Sequence, residues 1–234
     1  MGRVVLVTGG SRGIGRATAL AFRDAGDTVI VASRSGDSPD GLPAVSMDVT
    51  NTASVEAAFD VIESEHGPVE VLVANAGITR DTLLMRMSDD DIDAVLQTNL
   101  VGVIRCARRS LRGMLKAKKG RIVLVSSVVW GMGSAGQVNY AAAKAGLVGV
   151  ARSLAREVGS RSITVNVIAP GFVDTEMTEG LPEDRKQEIL SQVPLGRYAT
   201  ADEVAGSIVF LASAEASYIT GAIVPVDGGL GMGH

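Results

Sequence analysis

Val4-Val5-Leu6-Val7-Thr8 runs directly into Gly9-Gly10-Ser11-Arg12-Gly13-Ile14-Gly15, and Ile14–Ala25 then carries apolar residues at helical spacing up to Gly26. An unbroken apolar run of this length is a strand buried on both faces. Glycines at positions 9, 13 and 15 lie between that strand and the helix. Glycine tolerates positive φ and lets backbone approach a ligand closely. A helix start offers free N–H groups and a positive dipole end to a phosphate. A glycine motif gains weight when a strand precedes it and a helix follows, as here. The stretch predicts a pyrophosphate-binding turn, with Gly9, Ser11, Arg12, Gly13, Ile14 and Gly15 as contacts. A tight turn serving only strand–helix packing is the alternative.

The alternation continues along the chain. Strands are predicted at Thr28–Ala32, Ala44–Met47, Val69–Ala74, Arg121–Ser126, Ile163–Ile168 and Ala222–Val226. Helices are predicted at Ser54–Glu65, Asp89–Leu115 with a bend near Gly102, Asn139–Val158 and Ala201–Ala212. Apolar strands alternating with helices imply a doubly wound parallel sheet of about seven strands in a three-layer α/β/α arrangement. The 234 residues fit one such domain. The segment 171–197 lacks strand character and carries Pro182 and Pro194, so it reads as a lid-like insertion.

Composition removes several function classes. There is one cysteine, Cys106, and two histidines, His66 and His234. No internal disulfide follows, a zinc cluster is disfavoured, and a Ser-His-Asp hydrolase has no well-placed imidazole. Aromatics at 3% and a net charge of −4 argue against nucleic acid. The mean hydropathy is +0.26, yet no apolar run reaches the ~18 residues of a membrane span. The N-terminus has no signal-peptide shape, so a cytoplasmic protein is expected. The apolar content suggests packing against other copies. Glycine is in excess, at 28 residues, and crowds the C-terminus as Gly228, Gly229, Gly231 and Gly233, where subunit packing is expected.

Two further stretches carry chemistry. The second strand ends Val31-Ala32-Ser33-Arg34-Ser35, with no acid before Asp37. An NAD site places an acid there for the ribose hydroxyls. Arg34 with Arg12 instead suits a 2′-phosphate, pointing to NADPH, unless both arginines are merely solvated. Tyr140 and Lys144 stand four apart on one helical face, with small residues between them. An ammonium beside a phenol favours phenolate and makes tyrosine a usable acid near neutral pH. Ser126 and Ser127 end the strand before that helix, and a hydroxyl there can steady an oxyanion. Asn99 is a poor helix-interior residue and is expected to serve locally.

The loop spacing G-x-x-x-G-x-G resembles that of the short-chain dehydrogenase/reductase family, whose fold is the Rossmann type. The resemblance selects Ser127 over Ser126 and implies a catalytic tetrad of Asn99, Ser127, Tyr140 and Lys144, with Asn99 anchoring a relay water. It implies cofactor contacts from Asp48 and Val49 at the adenine and from Asn75, Ala76 and Gly77 at the adenosine ribose. Tyr140, Lys144, Pro170, Gly171, Val173 and Thr175 would then meet the nicotinamide end. The stretches Gly77–Met87, Asn139–Gly146, Tyr218–Gly221 and Pro225–Met232 resemble the 3-oxoacyl-[acyl-carrier-protein] reductases of fatty acid synthesis. That resemblance implies a homotetramer and an acyl carrier protein as partner. Eight basic residues and no acid lie between Arg105 and Arg121, leaving 14 basic and 26 acidic residues in the other 217. Such a patch suits an acidic carrier, and family resemblance points to Lys118 and Arg161 as its contacts. A solvated helix face or a subunit contact explains the charges equally well. Trp130, Met132 and Phe172 are candidates for an acyl-pocket wall or for core. Same-fold rivals act on coenzyme A thioesters, steroids or sugars; a non-catalytic NADP(H) sensor is the rival from another class.

Overall fold

A computed structural model of the protein describes residues 2–38, 40–176 and 183–232. Seven parallel strands form one sheet in the order β3-β2-β1-β4-β5-β6-β7. They are β1 Val4–Thr8, β2 Thr28–Ser33, β3 Ala44–Ser46, β4 Val71–Ala74, β5 Gly120–Val125, β6 Ile163–Pro170 and β7 Ile223–Val226. The helices are α1 Gly13–Asp24, α2 Thr52–His66, α3 Asp89–Leu96, α4 Gly102–Ala117, α5 Val129–Met132, α6 Val138–Val158, α7 Glu183–Gln192 and α8 Ala201–Leu211. The predicted Rossmann-type architecture is the one observed.

Strand side chains alternate between two cores, as period-two geometry requires. Leu6, Ile30, Leu72 and Ile122 share one register row and pack with Phe59 and Ile62 of α2, Met114 of α4 and Leu147 of α6. Val5, Val7, Val71 and Val73 face the opposite way, toward Phe22 of α1 and Ile208 of α8. Each fully buried large side chain contributes roughly 1.5–3 kcal/mol. Strand order reverses about β1 and β4, so the loops after those two strands flank the crevice where ligands of such sheets bind.

The expected bend near Gly102 has a definite form. Residues Gln97–Val101 form a π-turn between α3 and α4, and Asn99 sits inside it. The described parts of the segment 171–197 include regular structure. Helix α7 lies within it, anchored by buried Ile189 and Val193, and Val173 bridges to Ala199. Residues 177–182 of the expected lid, Pro182 included, fall outside the described residues. Gly228 and Gly229 pack closely within their own chain. A Cβ on Gly228 would stand 2.8 Å from Val193 Cγ1, and one on Gly229 would stand 2.9 Å from Pro194 Cγ. Gly233 falls outside the described residues. Among the described residues no helix is long and apolar enough to cross a membrane.

Candidate active site

All strands run one way, so the loops after them share one edge. That edge collects Gly9–Gly15, Arg34, Asp48, Asn75–Gly77, Ser127 and Gly171. The glycine loop is dictated by close approach. Gly9 has φ +64°, a conformation side chains disfavour. A Cβ on Gly15 would stand 2.3 Å from the Gly9 carbonyl and 2.5 Å from Asn75 Nδ2. Asn75 Nδ2 donates to the carbonyls of Thr8 and Gly9, both at 3.1 Å. The Thr8 hydroxyl accepts from the N–H groups of Asn75 at 3.0 Å and Ala76 at 3.1 Å. The Asn75 amide therefore pins the loop to β4 rather than reaching outward. Thr175 meets the loop from above: its Cγ2 would lie 3.6 Å from a Cβ on Gly13.

Arg12 caps α1 with extended backbone, and its guanidinium lies 3.5 Å from Glu176 on the surface. Arg34 is exposed just past β2. Asp48 accepts from the Thr50 N–H at 2.9 Å and the Thr50 hydroxyl at 2.7 Å, which hold its carboxyl below the usual range. Val49 is buried, and a Cβ on Gly102 would stand 2.8 Å from its Cγ2, so only its backbone faces the crevice. Val173 is buried as well, and Pro170 closes β6.

The catalytic candidates converge. Lys144 is buried, and its Nζ donates to the Val125 carbonyl at 2.7 Å. The same Nζ lies 5.5 Å from the Tyr140 ring centroid. Gly77 faces this group: a Cβ there would lie 3.3 Å from Asn99 Oδ1 and 3.7 Å from Lys144 Nζ. Asn99 is fully buried; Oδ1 accepts from the Ile78 N–H and Nδ2 donates to the Ile78 carbonyl, each at 2.9 Å. The two serines separate by partner. Ser126 Oγ donates to the Lys144 carbonyl at 3.0 Å, whereas Ser127 acts on the Tyr140 phenol and favours its ionised form.

Two expectations are corrected here. Burial pushes the Tyr140 phenol up to about 12, against the pull of its hydrogen bond with Ser127, and nearby Asp81 raises it further. Burial also pushes the neighbouring Lys144 ammonium down, to about 8. The second concerns the basic stretch. Arg109 is buried among Glu63, Asp60 and Glu56, Arg112 pairs with Glu56, and Lys119 pairs with Glu70. Arg121 donates to the carbonyls of Gly120, Ser162 and Ser213. Arg105 donates to the Val49 carbonyl and to Gln97, so five of the eight charges are engaged within the chain. Lys118 precedes β5 and Arg161 precedes β6, so both lie at the amino edge, about 20 Å of strand from Ser127.

Two residues just before Tyr140 brace the start of α6. Asn139 Nδ2 donates to the carbonyls of Arg80 at 3.2 Å and Asp91 at 3.3 Å, and its Oδ1 accepts from the Tyr140 N–H at 2.7 Å. Gln137 Nε2 donates to Asp81 Oδ2 at 2.7 Å. Phe172 stacks on Tyr198 with centroids 5.9 Å apart, while Trp130 lines a small pocket with Val128, Ala169, Pro225, Asp227 and Gly231.

Comparison with known proteins agrees with this geometry. A family model described as enoyl-(acyl carrier protein) reductase matches residues 9–231. The 3-oxoacyl-[acyl-carrier-protein] reductase MabA of Mycobacterium tuberculosis is 49% identical over 234 residues, covering 99% of this chain and 94% of the relative. The 3-oxoacyl-[acyl-carrier-protein] reductase FabG of Escherichia coli is 49% identical over 242 residues, covering 99% and 98%. FabG of Salmonella typhimurium is 49% identical over 239 residues, at the same coverage. With its glycine loop, its Ser127–Tyr140–Lys144 cluster and near-complete alignment to these enzymes, the chain belongs to the short-chain dehydrogenase/reductase family.

Proposed function

We propose that this chain reduces 3-oxoacyl groups carried on an acyl carrier protein to 3-hydroxyacyl groups, using NADPH. One observation carries the reading. The Nζ of buried Lys144 lies 5.5 Å from the Tyr140 ring and Ser127 acts on the Tyr140 phenol, in a chain half identical over its length to reductases of that name. Two hydroxyls converging on one point suit the oxygen of a ketone.

The crevice fits a dinucleotide. The cradle at Gly9 and Gly15 has no room for a Cβ, and the α1 N-terminus opens beside it. Gly9, Ser11, Gly13, Ile14 and Gly15 would hold the pyrophosphate, and Arg12 and Arg34 the 2′-phosphate. Asp48 and the Val49 backbone would hold the adenine, Ala76 and Gly77 the adenosine ribose. Pro170, Gly171, Val173 and Thr175 would line the nicotinamide. When bound, the reduced nicotinamide supplies a hydride to the ketone carbon. Ser127 orients the carbonyl, and Tyr140 gives its proton to the carbonyl oxygen. A phenol titrating near 12 is fully protonated at neutral pH, as the acid in this direction must be. Lys144 restores that proton and is already close to titrating, near 8. The Asn99 side chain is used on Ile78, so its backbone carbonyl in the π-turn is the group left to hold a relay water.

Other parts of the reading follow. Residues 171–197 would act as the substrate lid of a single cytoplasmic domain. The homotetramer is supported by apolar side chains left exposed on α4 and near α8: Ile104, Leu115, Phe210 and Tyr218. Lys118 and Arg161 would receive the carrier at the amino edge, away from their own chain's Ser127.

The test is NADPH oxidation with acetoacetyl and crotonyl thioesters. Turnover of the acetoacetyl thioester by wild type, and its loss in Tyr140→Phe by about 10²–10⁴-fold, is expected. Turnover of the crotonyl thioester alone would instead favour the reaction in the family model's description. Lys118→Glu should slow the carrier thioester and spare the coenzyme A thioester; equal rates would remove Lys118 from the carrier site.

A further inference from the structure

The stretch from Gly77 to Met87 borders the tetrad and is held to it and to the start of α6 by a series of hydrogen bonds. Ile78 is fixed by Asn99, Arg80 by Asn139, Asp81 by Gln137 and Thr82 by Gly136. The last three bonds come from residues 136–139, immediately before Tyr140. Thr82 donates its N–H to the Gly136 carbonyl at 2.9 Å, and Gly136 adopts φ +83° to receive it. Gln137 is the N-cap position of α6, and its side chain makes no capping bond to the helix. It spends its amide on the Asp81 carboxylate instead, at 2.7 Å. A carboxylate accepting an amide bond is a strong, directional link for a surface position.

We propose that Asp81 and Gln137 form a positioning pair for the reduction, locking the chain after β4 to the start of α6 and so holding the Tyr140 phenol on Ser127. The pair touches neither ketone nor cofactor; it acts through Tyr140. The proposal rests on the reductase reading above. The groups around the phenol are Asp81 from the segment after β4, Ser127 from the end of β5 and Lys144 from α6 itself. Of the two ionisable ones, Lys144 is a buried cation tied to Val125, and Asp81 is the anion. A fixed carboxylate on that side repels phenolate and keeps the tyrosine in the protonated form that a carbonyl reduction consumes.

The experiment combines kinetics with a titration of the phenol by tyrosinate absorbance. The chain has three tyrosines, so Tyr140→Phe supplies the difference spectrum. Gln137→Leu should lower kcat about fivefold, the worth of one hydrogen bond, with the KM for NADPH unchanged. Asp81→Asn should move the Tyr140 midpoint to lower pH. Gln137→Glu sets two carboxylates together and should lower kcat and raise the midpoint. The double variant Asp81→Asn with Gln137→Glu re-forms an amide–carboxylate bond with the roles exchanged. It should return kcat to within about twofold of wild type, a rescue that surface destabilisation would not produce. NADPH affinity by fluorescence checks that each variant is folded. An unmoved midpoint in Asp81→Asn, or a double variant no better than Gln137→Glu alone, would overturn the pair. If wild type reduces no acetoacetyl thioester, the reductase reading fails, while the titration still decides whether Asp81 acts on Tyr140.

Discussion

Lys144 and Arg109 are both 4% exposed, and both lie on helices covering the same face of the sheet. Their surroundings are opposite. Arg109 is met by Glu63, Asp60 and Glu56, and its Cζ lies 5.1 Å from the centroid of the Phe59 ring. Hydrogen bonding to Glu63 leads the causes that raise its pKa. Lys144 has one recorded polar partner, a backbone carbonyl, and burial lowers it to about 8. One cation is locked into its charge; the other is held where a proton is easily lost or gained. Burial of a charge thus marks function only when its compensation is incomplete.

The largest effect expected from this contrast is at Lys144. Lys144→Met should abolish turnover, by more than about 10²-fold, yet raise stability at neutral pH by about 1–2 kcal/mol. The gain comes from removing a poorly compensated buried charge, less the lost bond to Val125. A thermal unfolding midpoint below wild type would break the comparison.

Arg109→Met should do the reverse. It strands carboxylates beside an apolar Phe59 and should lower stability by about 1–3 kcal/mol, or several degrees in Tm. Turnover per folded molecule should be unchanged, and a selective fall in kcat would mean that Arg109 belongs to the site.

A pH series sharpens the Lys144 half. Its folded pKa is depressed from 10.5 to about 8, so between those values the unfolded chain binds a proton that the folded chain does not. Stability from this group therefore rises with pH across that window and is constant below it. The advantage of Lys144→Met over wild type in denaturant titrations should shrink from pH 8 and reverse by pH 10.5, since the shift is worth about 3 kcal/mol.

The smallest effect is at Arg112, whose pair with Glu56 is exposed. Arg112→Ala should cost no more than about 0.5 kcal/mol. A larger loss would show that the α2–α4 charges work as one network.

The same contrast explains what was legible in the sequence. The glycine loop and the buried strands were readable because their constraints are local: Gly15 has no space and Val4–Thr8 has no polar face. Tyr140 and Lys144 were readable from helical spacing. Arg109 was not, since Glu63 reaches it from 46 positions away. A basic run reads as a patch until the fold delivers its acids. Tyrosine acidity was misjudged for the same reason, because it is governed by burial from outside the helix. Ser127 was chosen over Ser126 by resemblance alone, and only the hydrogen bonds supply the physical reason. Helix α7 has few apolar positions, and no periodic stripe announced it.

The two outer strands carry one more consequence. β3 is three residues long with mostly exposed side chains, and β7 contains Pro225, which has no N–H to give a neighbour. Short edges and edge prolines discourage the docking of further strands. The sheet is thus closed to growth at both ends without being a barrel. The backbone of a crowded or partly unfolded neighbour therefore finds little open ladder to extend.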